Sequence, residues 1–376
     1  MKILIDARMY GLENTGIGRY LIELTERLKT DGSDNQYIIL LRKKYFNTLN
    51  FPKNWTKVQV DIPHYTLREQ LFLPFIIKKH KPDLVHFPHL NVPYLYSGKY
   101  IITVHDLTMQ KQGFGASKLP YLFYLLKRIP FLLISKHAVN NAVKIIVPSK
   151  ATAIDLANYY NISIQSIAIT YEGYAFNNMN QSMLYGEMST LTKYGLINKN
   201  YFFYIGNIYP HKNLGIVIKA VKDLNENKKM DAKFVIAGVK NGFKKRLVNY
   251  INDINAKSYI NLIGFVKEEE LPILYKNSLG FVYPSLSEGF GLQGLEAIAS
   301  GTTLACSNIP VFKEIYEFHA FYFDPMDLTS VSSTLYSIYN MKSEDKHKYI
   351  RNAQNYIKRY SWKKMADETL EIYKNA

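Results

Sequence analysis

Two α/β domains in series, each a doubly wound parallel sheet, form the fold class that this sequence predicts, on three observations. Short apolar runs alternate with amphipathic stretches from one end to the other, the pattern of a parallel sheet with helices on both faces. The 376 residues exceed what one ordinary core takes up and suit two of similar size. Between the two, residues 171–200 are polar, Asn-rich and without a sustained period, the texture of a linker followed by a short helix.

The first domain, expected over 1–172, opens with the strand "KILIDA" at 2–7 and then the helix "IGRYLIELTERLK" at 17–29. Further strands are expected at 37–43, 83–88, 100–106 and 144–149. The second domain, 173–359, brings strands at 201–206, 233–238, 260–264, 279–285 and 302–306. Helices at 213–226 and 294–301 lie between them. A closing segment, 360–376, holds the amphipathic helix "SWKKMADETLEIYKN" behind a Ser cap. Ligands bind in open sheets of this kind beyond the C-terminal strand ends, so the expected site is a cleft onto which both domains present those ends. Motifs just after strands therefore matter most.

Composition narrows the function. A hydrophobic fraction of 47% and a charged fraction of 21% are those of a soluble globular chain. Cys306 is the only cysteine, so no intrachain disulfide forms and a reducing compartment is expected. The apolar run at the N-terminus is too short for a signal peptide or a membrane span, which predicts a cytoplasmic protein. The net charge is +16, and residues 1–175 hold 22 Lys/Arg against 12 Asp/Glu. No acidic residue occurs between Asp106 and Asp155. That gap carries Lys118, Lys127, Arg128 and Lys136 among "LPYLFYLL" and "IPFLLI". Such a basic, apolar face suits the anionic inner surface of the cell membrane, to which the protein is expected to attach peripherally. The alternative is an ordinary buried helix with a solvated rim of charge. Nothing in the chain matches a nucleic-acid recognition motif, so no nucleic-acid partner is expected.

The chemistry concentrates in "SEGFGLQGLEAIASG" at 287–301. Glu288 falls in the loop after an expected strand, and Glu296 falls inside the helix that follows. Gly289 and Gly291 are expected to admit φ > 0 and let a ligand approach the backbone. Amides of the loop and of the helix N-terminus suit phosphate, while carboxylates suit hydroxyls of a sugar or ribose. The stretch is thus built for both ends of a nucleotide sugar. No D-x-D motif and no His/Cys cluster with ligand spacing is present, so neither a metal nor another cofactor is expected. Gly16 and Gly18 do not form a dinucleotide fingerprint, because position 21 is Leu.

These residues resemble the E-x7-E region of the retaining GT-B glycosyltransferases of family 4, which transfer sugars from nucleotide donors. Other stretches are similar to the family in order: "TGIGRY" (15–20), "TVHDL" (103–107), "IIVPSKAT" (145–152), "GNIYPHKNL" (206–214) and "YSWKKMADETLEIY" at the end. The resemblance implies two Rossmann-like domains facing a central cleft, with the C-terminal helix crossing back to the first. It implies Glu288, His105 and Lys212 as catalytic residues. Glu288 would stabilise positive charge on the sugar, Lys212 would neutralise the leaving diphosphate, and His105 would reach the sugar from the first domain. Gly206, Asn207, Gly289, Phe290, Gly291, Leu292 and Glu296 would complete the donor site, with Glu296 on the ribose. Gly16, Gly18 and Arg19 would flank the diphosphate or the acceptor. Many members carry Arg where Asn207 stands, which leaves more of the phosphate charge to Lys212. The resemblance further implies transfer of a hexose, mannose from GDP-mannose, to a lipid-linked saccharide in O-antigen or capsule assembly. Two other readings stay open at this stage: a catalytically idle nucleotide-sugar-binding scaffold, and a sugar-nucleotide epimerase of the same fold.

Overall fold

The computed structural model describes residues 1–30, 32, 34–111, 113, 120–174, 186–238 and 243–376. The chain divides into two compact units, Met1–Gly173 with Tyr360–Ala376, and Tyr174–Arg359.

In unit 1 the order begins β1 (Lys2–Asp6), α1 (Thr15–Leu28), β2 (Gln36–Leu41), α2 (Lys43–Phe46) and β3 (Trp55–Gln59). It continues with α3 (Leu67–His80), β4 (Leu84–Phe87), β5 (Tyr100–Thr103), α4 (Thr108–Lys111) and α5 (Tyr121–Asn141). Then come β6 (Lys144–Val147), α6 (Lys150–Tyr160), β7 (Ile167–Ile169) and, from the far end of the chain, α15 (Trp362–Lys374). The sheet order is β3-β2-β1-β4-β5-β6-β7 and every pairing is parallel. Strands covered on both faces need continuous apolar runs, and Ile3, Leu4, Ile5, Ile39, Ile101, Ile102 and Val147 are fully buried. Thr66 caps α3 by accepting from the Glu69 amide at 3.2 Å, and Ser149 caps α6 through the Thr152 amide at 3.1 Å.

The return of α15 to unit 1 has a specific fastening. His86 on β4 is buried and bonds Tyr373 Oη at 2.6 Å through Nδ1 and Thr103 Oγ1 at 2.7 Å through Nε2. Tyr20 of α1 reaches the same Thr103 hydroxyl at 3.1 Å. Burial holds the His86 pKa down to about 3, so this imidazole is neutral. Gly173 sits against the start of α15 so closely that a Cβ would lie 2.2 Å from Trp362 N.

Unit 2 runs α7 (Glu187–Lys193), β8 (Tyr201–Ile205), α8 (Leu214–Lys228), β9 (Lys233–Ala237), α9 (Lys244–Asp253) and β10 (Ile260–Gly264). It goes on through α10 (Leu271–Lys276), β11 (Gly280–Tyr283), α11 (Leu292–Ala299) and β12 (Leu304–Ser307). It closes with α12 (Pro310–Tyr316), β13 (Phe321–Phe323), α13 (Leu328–Tyr339) and α14 (Ser343–Ile357). Its parallel sheet is ordered β10-β9-β8-β11-β12-β13. In both sheets the strand order reverses beside the first strand, between β1 and β4 and between β8 and β11. These are the switch points beyond which a doubly wound sheet opens for a ligand.

Three strands were not expected from the sequence: β3, β7 and β13. All are sheet edges, and "WTKVQ" alternates with solvent while "IAI" and "FYF" are only three residues long, so none shows the apolar run of a buried strand. Part of the expected linker, 175–185, lies outside the described residues. The first helix begins at Thr15, two residues before the expected 17, so Gly16 joins Gly18 in its first turns.

Candidate functional site

The switch point of unit 2 gathers most of the expected donor residues. β8 ends into Gly206 and Asn207, and Pro210–Lys212 forms one turn of 3-10 helix ahead of α8. Asn213 takes a left-handed conformation (φ 53°) to connect them, and its side-chain amide donates to Pro325 O at 2.8 Å. β11, the neighbour of β8, ends into the loop carrying Glu288. The Leu286 amide donates to His211 O at 2.8 Å, which fixes one loop against the other. As a result Lys212 Nζ donates to Glu288 Oε1 at 2.5 Å, with the two side chains only 14% and 13% exposed. An acid and a base meant for opposite ends of a nucleotide sugar thus sit paired at one mouth.

Around this pair the walls are aromatic and neutral. Tyr283 and Tyr204 are buried, and burial first, then the Glu288 charge, keeps both hydroxyls protonated far above the usual tyrosine range. Tyr283 Oη donates to Gln293 Oε1 at 2.6 Å, and Tyr204 Oη donates to Asn207 O at 2.7 Å. Glu296 is half-buried on α11, where its charge adds to burial in holding Tyr275 protonated. The N-terminus of α11, at Leu292, presents the positive end of the helix dipole, although the Gly294 amide of its first turn already donates to Gly291 O at 3.1 Å.

The glycines meet the expectation in part, and two of them have a further packing role. Gly291 does have φ 107°, but Gly289 is not among the positive-φ residues. A Cβ at Gly291 or Gly294 would lie 2.3 or 2.2 Å from the hydroxyl of Tyr316. That buried hydroxyl donates to Gly291 O at 2.5 Å. Tyr316 thus leaves no room for a side chain at either position, and Gly291 is further bound to glycine by its φ. Tyr316 was missed in the sequence because nothing local marks a tyrosine arriving from a helix more than twenty residues on, and Tyr283 and Gln293 because their mutual hydrogen bond appears only in the fold.

The remaining expected residues lie in unit 1. His105 follows β5, packs edge-on to Tyr20 at 4.9 Å and meets Glu172 Oε1 at 3.1 Å through Nδ1. Its Nε2 is buried and has no hydrogen-bond partner among the described residues. Glu172, a carboxylate just beyond β7, thereby orients this imidazole, a pairing for which the sequence carries no local signal. Gly18 has no room for a side chain, since a Cβ would lie 1.9 Å from Gly11 O, whereas Gly16 faces open space. Arg19 lies 3.8 Å from Glu23. Lys127 and Lys136 are exposed on α5, and Lys118 lies outside the described residues. Arg128 departs from its expected part, because its guanidinium donates to the carbonyls of Met109 and Gln110 and ties α5 to α4. Leu122, Leu126, Ile129 and Leu133 form an exposed stripe along α5, and Leu67, Leu71 and Phe75 another along α3. The buried-helix alternative fails for these side chains. No helix among the described residues is long and apolar enough to cross a membrane.

Two doubly wound units, one with a paired lysine and glutamate at its switch point, are the architecture of the GT-B glycosyltransferases. Comparison with known proteins agrees. Residues 193–356 match the family model described as glycosyl transferases group 1, and residues 14–175 that described as glycosyltransferase family 4. The chain belongs to the family 4 glycosyltransferases. It is 26% identical to the O-antigen chain mannosyltransferase RfbU of Salmonella typhimurium, with 96% of this chain and 97% of the relative covered. It is 23% identical to the O-antigen chain mannosyltransferase B of Escherichia coli, with both chains covered in full. Among solved structures, Anabaena Alr3699/HepE in complex with UDP and glucose is similar in fold, with a TM-score of 0.78 at 16% identity and both chains covered in full. WaaG, a glycosyltransferase involved in lipopolysaccharide biosynthesis, has a TM-score of 0.74 at 14% identity, with 99% of each chain covered.

Proposed function

We propose that this protein transfers mannose from GDP-mannose, with retention of anomeric configuration, to a lipid-linked saccharide during O-antigen or capsule assembly at the inner face of the cell membrane. The observation that carries the reading is the Lys212–Glu288 pair at the C-terminal ends of adjacent strands. A donor entering there replaces each partner with something of the right charge. Lys212 turns to the diphosphate, and Glu288 turns to the sugar, where positive charge develops as the glycosidic bond to phosphate breaks.

Departure of the nucleoside diphosphate is met by Lys212 and the first-turn amides of α11, while Glu296 holds the ribose hydroxyls. The acceptor hydroxyl attacks from the face that the diphosphate leaves, and a phosphate oxygen of the donor takes its proton. Glu288 then acts as an electrostatic stabiliser and not as a nucleophile. The names of the two full-length relatives support the choice of sugar and pathway, and the exposed apolar and basic faces of α3 and α5 support a membrane-bound acceptor. Glu288→Gln should abolish mannose transfer in a radiolabelled assay with lipid-linked acceptors while the protein remains folded. Full activity in that variant would sink the assignment.

A further inference from the structure

Tyr283 ends β11 at the corner that holds the Lys212–Glu288 pair. Its buried ring packs against Phe281 and Phe312, with centroids 5.5 and 4.6 Å away, which fixes where its hydroxyl lies. Two acceptors compete for the one proton of that hydroxyl. Gln293 Oε1 takes it at 2.6 Å. The Glu288 carboxylate is the other, and its charge and hydrogen bonding both add to burial in holding the phenol protonated. Lys212 completes the corner, with its ammonium on Glu288 Oε1 at 2.5 Å and 6.0 Å from the centre of the Tyr283 ring.

This corner changes when a nucleotide sugar enters, on the reading that Lys212 then turns to the diphosphate. Glu288 loses its cation just as the sugar displaces water from it. A shielded carboxylate left with neither partner nor water is costly, and nothing aims it. The phenol stands ready to replace the ammonium. Gln293 carries an oxygen and an NH2 group on one planar amide, so a half turn of that amide puts a donor where the acceptor was. Its N–H then donates to Tyr283 Oη, and the phenolic O–H swings from Gln293 to Glu288. Tyr283 stays hydrogen-bonded throughout, and a bond to a neutral amide is exchanged for the stronger kind, a bond to a charge. With a bare nucleoside diphosphate, water fills the place of the sugar, Glu288 stays solvated, and the exchange brings little.

We infer that Tyr283 is the positioning residue of Glu288: its hydroxyl takes over from Lys212 as donor to that carboxylate once the nucleotide sugar is bound, and Gln293 occupies it until then. The inference rests on the proposed transfer reaction and names what aims Glu288 within it.

Tyr283→Phe keeps the ring and removes only the hydroxyl. Isothermal titration should show its affinity for the nucleotide sugar reduced about tenfold, the difference between a hydrogen bond to a charge and one to a neutral group. Affinity for the matching nucleoside diphosphate should stay within about twofold of the wild type, and kcat/KM for transfer should fall by at least as much as the sugar-nucleotide affinity. A double-mutant cycle separates aim from packing. In Glu288→Gln the phenol would only trade one neutral partner for another, so adding Tyr283→Phe should change nucleotide-sugar affinity less than about twofold. Gln293→Leu leaves the phenol no resting partner and so removes the same gain. It should show the same tenfold loss, with no further loss when combined with Tyr283→Phe. A tenfold loss from Tyr283→Phe in both Glu288 backgrounds, additive losses at 283 and 293, or equal weakening of nucleotide sugar and nucleoside diphosphate each overturns the inference. If no nucleotide sugar binds the wild-type chain, the transfer reading and this inference fall together. If one binds and Glu288→Gln stops transfer, but Tyr283→Phe changes nothing, the inference alone falls.

Discussion

The pairing of Lys212 with Glu288 makes a prediction that a simple list of binding residues would not. To reach a diphosphate, Lys212 must give up a charge-assisted hydrogen bond of 2.5 Å, made where both side chains are largely shielded from water. Such a bond contributes about 1.5–3 kcal/mol, and the neutral bond that a glutamine still accepts contributes about 0.5–1.5 kcal/mol. In Glu288→Gln the lysine is therefore released more cheaply, by about 1–1.5 kcal/mol, and no carboxylate repels the incoming phosphates. The tightest-binding nucleoside diphosphate should bind Glu288→Gln about five- to tenfold better than the wild type. Sugar transfer by the same variant should fall by about a hundredfold or more, because the stabilising charge at the sugar is gone. Lys212→Ala should behave oppositely in binding and weaken the nucleotide by about tenfold or more. Isothermal titration with a panel of nucleoside diphosphates, followed by transfer kinetics, separates the two effects. The reasoning fails if Glu288→Gln weakens nucleotide binding as Lys212→Ala does.

Three further outcomes follow from the structure. Gly294→Ala drives a methyl into the Tyr316 hydroxyl and should lower stability by about 1–3 kcal/mol, read as a drop in melting temperature; an unchanged transition would mean that Tyr316 yields freely. Arg8→Met strands Asp6 and Glu69 in the interior and should lower stability by about 3–5 kcal/mol, visible in urea unfolding. Burial opposes the charge of both carboxylates, but in Asp6 the Arg8 charge outweighs it, and in Glu69 contacts with His64 and Arg8 do. Their folded pKa values are thus depressed, so the stability they supply is present above about pH 4 and is lost on acidification through the depressed values. His86 acts at higher pH. It is neutral when folded, with a pKa near 3, but protonates near 6.5 when unfolded. Stability should fall by about 1.4 kcal/mol per pH unit from this group as pH drops from about 6.5 towards 3. Urea midpoints at stepped pH should show this slope, and His86→Gln should flatten it.

Much of the fold was legible from local pattern. The buried strands β1, β2, β4, β5 and β6 announce themselves because a strand covered on both faces must be apolar along its whole length. The edge strands β3, β7 and β13 escaped because half of an edge strand faces water or because three residues carry no period. The caps at Ser149 and Ser361 also lie in the sequence, since a hydroxyl ahead of a helical run satisfies an amide only a few residues away.

The site was legible only in its outline. That Glu288, Lys212 and His105 follow strands could be read directly, because strand ends in a doubly wound sheet are where ligands gather. That Glu172 orients His105 could not, since 67 residues separate the two in the chain. The packing of Tyr316 on Gly291 and Gly294 could not be read for the same reason. A glycine signals that a side chain would not fit, but the sequence does not say whether a ligand or a distant tyrosine takes the space.

What the sequence by itself determined is the alternation of strand and helix, the placing of acid, base and glycine beyond strand ends, and the basic apolar stretch, all of them effects of neighbours along the chain. Only the tertiary structure decided that Lys212 and Glu288 hold each other, that His86 fastens the last helix, and that Tyr316 fills the space beside Gly291 and Gly294. Those outcomes depend on short distances between groups far apart in sequence, and crossover connections of a parallel sheet are what bring such groups together.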